Sequence, residues 1–321
     1  MVSTGQIRAG QQSWCHAETR ARDSTRRTPS CPLCESRETK TAFKDNGCTL
    51  RMCEVCDLFF VDPYPSIERQ HAAVSVGSCV EIEVLDCARR YEGERLYYDR
   101  HFSLIAEECE TATSLLDVGC GTGHLLERFA DRPGLRRTGI ELNSQAARMA
   151  RRVAGCEILE VPFEGFQSER RYDVITMINV LSHIPTFEGM FRTLRAVLKP
   201  GGKVILRTSE MSRNVSRWNQ VHWGIPDDLH FLGLGTLDFL CTQFRFAIAR
   251  RIRTPYEDEL FRRSRWQQMG RSKIVNGMKR AGIRIPGALT TMKRIYAAAL
   301  GQRFYVSFVV LKQLGCCEPP S

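Results

Sequence analysis

The chain has 321 residues, 43% of them hydrophobic, and a formal net charge of +10. That composition suits a large domain with a small appendage, or two modest domains, and excludes a disordered or fibrous chain. Residues 1–10 lack the apolar stretch of a secretory leader, and no run approaches the ~20 apolar residues of a membrane helix, so a cytoplasmic protein without a membrane span is expected.

Residues 1–28 are polar and rich in Ser, Thr, Gln and Arg, which predicts a disordered tail. Residues 29–64 hold two CxxC pairs, Cys31–Cys34 and Cys53–Cys56, separated by eighteen residues. In a reducing compartment such pairs signal metal rather than disulfides, and this spacing predicts a zinc site with four cysteine ligands. A closed four-thiolate shell leaves no position for water, so the zinc is expected to be structural. Cys48 is the rival ligand, but has no CxxC partner. Residues 65–110 are patchily helical and carry Tyr91, Tyr97, Tyr98 and Phe102, a linker or lid in this reading.

From residue 111 onward short apolar runs alternate with helical segments, the pattern of βα units around a parallel sheet. Leu115–Val118, Thr138–Glu141, Ile158–Val161, Val174–Met177 and Lys203–Leu206 read as five strands. Two further strands are expected at Phe244–Arg250 and Phe304–Leu311, flanking a basic helical insertion at 256–301. Asn143 or Ser144 is expected to cap the helix after the second strand, and Thr186 the helix carrying Phe187, Met190, Phe191, Leu194, Val197 and Leu198. Lys199-Pro200-Gly201-Gly202 ends that helix.

The first strand turns into Asp117-Val118-Gly119-Cys120-Gly121-Thr122-Gly123. The dinucleotide fingerprint needs a third glycine where His124 stands, so it fails. Instead the loop reads G-x-G-x-G with an acid two residues upstream. Glu141 ends the second strand, where an acid accepts hydrogen bonds from ribose hydroxyls. An adenosine ligand carrying an amino-acid group satisfies all three features, with Glu141 on ribose, the glycine turn on the amino-acid part and Asp117 nearby.

Leu115–Gly123 resembles motif I of the class I S-adenosylmethionine (SAM)-dependent methyltransferases. Tyr172–Ile184 resembles their fourth-strand motif, and Leu198–Gly202 their turn before strand five. The resemblance covers about 110–255 and implies a doubly wound, Rossmann-like α/β sheet with its last strand antiparallel, preceded here by the zinc ribbon. It implies that Asp117, Gly119, Gly121 and Gly123 contact or shape the methionine end of SAM, with Cys120 inside the same loop. Glu141 then holds ribose, Asn179 stands near the cofactor, and Leu142 and Phe163 supply apolar walls for adenine. Pro162 and Ser182 depart from the family pattern at positions that often carry acids. The leader through Leu58–Pro65 is similar to zinc ribbons ahead of methyltransferases of sugar and natural-product pathways.

Two histidines are candidate bases: His183, just after strand four, and His230, in Pro226-Asp227-Asp228-Leu229-His230, expected in the loop after strand five. The leading expectation is methylation of a small molecule on O, N or C. An RNA methyltransferase is the rival, because ten basic residues and no acid lie between Arg262 and Arg294. A non-enzymatic SAM-binding scaffold is the third possibility, and the intact Asp117, Glu141 and loop glycines speak against it.

Overall fold

The computed structural model describes residues 29–45, 47–76, 102–214, 225, 227–255 and 304–315. The expected tail at 1–28, the tyrosines 91, 97 and 98 and the basic stretch 262–294 lie outside the described residues.

The front module is an antiparallel sheet of β1 (Thr39–Asp45), β2 (Cys48–Cys53) and β3 (Phe59–Asp62), followed by helix α1 (Ile67–Val76). The alternating units then run in order: β4 (Ser114–Val118), α2 (His124–Glu127), β5 (Arg136–Ile140), α3 (Ser144–Ala154), β6 (Glu157–Leu159), β7 (Tyr172–Ile178), α4 (Phe187–Val197), β8 (Leu198–Met211). They are completed by β9 (His230–Gly233), α5 (Thr236–Phe244), β10 (Phe246–Pro255) and β11 (Phe304–Gln313). Strands β6, β5, β4, β7 and β8 are parallel neighbours in that order, and β11 pairs antiparallel with both β8 and β10. This is the doubly wound sheet with an antiparallel last strand that the sequence implies.

Sequence and element agree for local reasons. The central strands are apolar on both faces because helices cover both: Val174, Ile175, Met177 and Ile178 of β7 are all buried. Asn143 caps α3, its side chain accepting from the Gln145 and Ala146 amides, and Thr186 caps α4 by accepting from the Gly189 amide. Helix α3 buries only alanines (Ala146, Ala147, Ala150 and Ala154), so it can approach the glycine turn closely. A Cβ on Gly123 would lie 2.8 Å from Ala150 Cα.

Three expectations need correction. The fifth strand is much longer than Lys203–Leu206, because β8 runs to Met211 and its far end adds β9 as a parallel neighbour. The strand expected from Phe244 starts at Phe246, since Phe244 closes α5. Residues 230–233 are not loop. They form β9, which pairs antiparallel with β3, so the ribbon sheet and the main sheet are one continuous sheet. Leu33, Leu58 and Phe60 of the ribbon share a core with Val118, Ile175 and the apolar face of α4. Among the described residues no helix is long and apolar enough to cross a membrane.

Candidate active site and thiol cluster

The glycine turn sits at the carboxyl end of β4, where open α/β sheets bind ligands. Gly119, Gly121 and Gly123 all have positive φ (66°, 55° and 86°), a region that costs a side-chain-bearing residue steric strain. At Gly119 the space is also taken, since a Cβ there would lie 2.4 Å from Val180 Cγ2. The Gly119 and Cys120 amides both donate to the Ile140 carbonyl, at 2.7 and 3.0 Å, fixing the turn to the end of β5. Cys120 is buried, its Sγ filling the space beside Gly139.

Glu141 completes this corner. Its Oε2 accepts the Gly121 amide at 2.9 Å and its Oε1 accepts the Asn143 amide at 2.8 Å, so two backbone donors orient one carboxylate over the turn. Buried Asp117 accepts from the Thr176 hydroxyl at 2.7 Å. Leu142 is half-buried next to Glu141, and Phe163 is buried in a short 3-10 turn, within the core that holds Val118 and Ile140. Asn179, at the tip of β7, has φ 59°, unusual for a non-glycine residue. Its amide donates to the Arg207 carbonyl at 3.0 Å and its side-chain oxygen accepts from the Arg207 guanidinium. The fold thus gathers Asp117, the glycine loop, Glu141, Leu142 and Asn179 along one edge of the sheet, with Phe163 beside them. An acid, backbone amides and an apolar wall suit an adenosyl amino acid chemically.

The two histidines part company. His183 follows β7 in a short 3-10 turn with its side chain 39% exposed. Its Nδ1 lies 3.0 Å from the Asp227 carbonyl and its Nε2 3.6 Å from Asp228 Oδ1, which in turn accepts the Ser182 hydroxyl at 2.6 Å. His230 is buried in β9, packed on the Phe187 ring at a centroid distance of 4.4 Å, with Nδ1 3.4 Å from the Tyr64 hydroxyl. Burial pushes its pKa down to about 3, so it is neutral and a very weak base. It does not cover the site as a loop residue would.

Sequence reasoning missed Asp228 and Gln70. Asp228 was visible as an acid two residues before His230, but its partner is His183. Gln70, on α1, is buried and its carboxamide donates to the carbonyls of both His183 and Asp227, each at 3.3 Å. No local pattern marks it. Helix α1 also meets the corner beside Glu141, where His71 Nε2 lies 3.3 Å from Glu164 and the Asn143 side chain donates to the Ser75 carbonyl.

At the front of the chain Cys31, Cys34, Cys53 and Cys56 converge, their sulfurs all within 4.8 Å of one another. Cys31 and Cys56 are 3.6 Å apart, Cys34 and Cys53 3.5 Å. A tetrahedral Zn–S bond of about 2.3 Å implies sulfur separations of roughly 3.8 Å, so the cluster has the dimensions of such a shell. The hydrogen bond from Cys56 lowers the pKa of Cys31, while the same contact raises that of Cys56; burial raises that of Cys34. Cys48 is disulfide-bonded and lies outside the cluster.

Residues 89–247 match the family described as a methyltransferase domain. That match spans just under half of the chain and assigns this stretch to a methyltransferase domain, with the strand order and glycine turn described above. The chain is 33% identical over 152 residues to the ubiquinone biosynthesis O-methyltransferase of Nitrosococcus oceani, covering 45% of this chain and 61% of that protein. It is 31% identical over 150 residues to the enzyme of the same name from Stutzerimonas stutzeri, covering 44% and 61%. The chain thus spans less than two thirds of these relatives. Among solved structures it is similar to a SAM-dependent methyltransferase from Thiobacillus denitrificans in complex with S-adenosyl-L-homocysteine. That match has 16% identity and a TM-score of 0.45, covering 67% of this chain and 91% of the other.

Proposed function

We propose that the protein methylates a hydroxyl group of a small molecule in a biosynthetic pathway, using SAM held by Asp117, Gly119, Cys120, Gly121, Gly123, Glu141, Leu142, Phe163 and Asn179. The observation that carries the oxygen acceptor is the setting of His183. A carbonyl can only accept, so the contact with Asp227 puts the proton of neutral His183 on Nδ1 and leaves Nε2 as the basic atom. Nε2 faces Asp228, whose charge stabilises the imidazolium formed when a proton arrives. A hydroxyl acceptor needs that proton removed, and an imidazole changes charge near neutral pH. The names of the relatives, both O-methyltransferases, support the same reading.

Bound SAM would supply a methyl group on a sulfonium, a leaving group that departs uncharged. The chain's task is alignment: the glycine turn and Glu141 fix one partner and the His183 edge the other. Positioning of this kind contributes roughly 7–11 kcal/mol to such displacements. His183 Nε2, beside Asp228, would take the proton from the acceptor hydroxyl as the sulfur–methyl bond is exchanged for an oxygen–methyl bond. His230 takes no part.

The four clustered cysteines would hold a structural Zn2+, which ties the ribbon together without meeting substrate.

The test uses SAM with a labelled methyl group, offered with simple phenols and, in parallel, with RNA. Transfer to a phenol that falls about a hundredfold or more in His183→Gln, with SAM affinity kept, is expected for loss of a general base. Transfer to RNA alone, or a phenol activity indifferent to His183, would overturn the assignment.

A further inference from the structure

We infer that Gln70, contributed by the arm leaving the N-terminal module, is a positioning residue that selects the tautomer of His183. The inference rests on the reading of His183 as the base, but its chemistry stands on separate observations.

Three chain segments meet at this point. His183 closes the turn after β7, Asp227 and Asp228 precede β9, and Gln70 lies midway along α1. The first two are already laced together, because the Leu229 amide donates to the Ser182 carbonyl at 2.8 Å and the Ser182 hydroxyl reaches Asp228. Those bonds act on the Asp228 carboxylate and on the Ser182 carbonyl; the carbonyl of Asp227 is reached from another side. The Gln70 carboxamide holds it there. Its two N–H groups reach two carbonyl oxygens, those of His183 and Asp227, at 3.3 Å each, and its burial excludes competing water.

The consequence concerns one proton. The Asp227 carbonyl, held in place by Gln70, also meets His183 Nδ1 at 3.0 Å. An oxygen with two lone pairs can accept both donors, and only an Nδ1–H ring satisfies the second contact. Gln70 thus fixes the acceptor that makes Nε2 the bare, proton-accepting atom facing Asp228. Without that anchor the carbonyl can turn away, and the ring loses the contact that favours Nδ1–H. The front module therefore reaches the reacting edge through one buried amide, without touching the substrate itself.

The test reads the imidazole directly and needs no acceptor. Protein labelled with 15N in histidine is examined at alkaline pH with S-adenosylhomocysteine bound, and His183 is assigned through His183→Gln. In the unsubstituted protein Nδ1 should resonate as the protonated and Nε2 as the bare nitrogen. In Gln70→Met, similar in length and without a donor, the ratio of Nδ1–H to Nε2–H forms should fall about tenfold, the loss of one ordinary hydrogen bond. Calorimetric affinity for S-adenosylhomocysteine should not move. An Nε2–H ring in the unsubstituted protein, or the same ratio in both proteins, overturns the inference. Should Gln70→Met fail to fold, the unsubstituted protein decides alone. There the Gln70 carboxamide protons should exchange slowly, and exchange at the rate of a free amide refutes the tie. Absence of S-adenosylhomocysteine binding would instead defeat the methyltransferase reading, leaving the tautomer a separate fact.

Discussion

Glu141 and Gly121 are joined across the end of the sheet, the carboxylate accepting the loop amide at 2.9 Å. One side chain thus holds the glycine turn in shape, and it is the group we propose for the ribose of SAM. Glu141→Ala should weaken SAM binding by roughly 1.5–3 kcal/mol, the worth of a hydrogen bond to a charged group. Titration calorimetry with S-adenosylhomocysteine measures this, and an unchanged affinity would remove Glu141 from the cofactor site.

Gly119 faces two separate penalties, the positive φ and the Val180 methyl 2.4 Å from any added Cβ. Gly119→Ala should destabilise the protein by about 1–3 kcal/mol and abolish cofactor binding. Adding Val180→Ala removes the clash and leaves the backbone strain, so stability should return only in part. Melting temperatures of the two variants decide, and full recovery would mean that φ costs nothing here.

Cys31→Ser removes one corner of the thiol tetrahedron. Metal analysis should find less than the one zinc per chain expected of the parent protein, and the ribbon should melt earlier. Full zinc content in the variant would show that Cys31 is not a ligand.

His230 governs acid stability in this reading. Its pKa falls from an ordinary 6.5 to about 3 on folding, so between those values the unfolded chain binds the extra proton. Stability from this group is complete above pH 6.5 and is lost as pH falls toward 3, at up to about 1.4 kcal/mol per pH unit. His230→Phe should flatten that part of the stability curve. A curve of unchanged slope in denaturant titrations at pH 4 and 7 would contradict the buried, neutral ring.

What the sequence disclosed and what it hid follow from the range of the interactions. The glycine turn, the caps at Asn143 and Thr186 and the two CxxC pairs are decided by neighbours a few positions away, and each appears where its residues imply. The strand β9 has no such signal. Its four residues become a strand only because β3, about 170 positions earlier, lies alongside. That pairing buries His230 and makes a loop histidine out of the question. Gln70 was invisible for the same reason, since a buried glutamine is explained only by the carbonyls that two remote segments bring to it.

The shared sheet constrains how such a protein can be recombined. Because β3 covers the outer edge of β9, a chimera that exchanges residues 29–64 alone would set a foreign strand against His230 and Phe231. A mismatched or bare edge there invites pairing with other chains. Chimeras should therefore give soluble protein only when the 227–236 segment travels with the ribbon. Modules that look like separable beads along the chain are, at this seam, inherited as a pair.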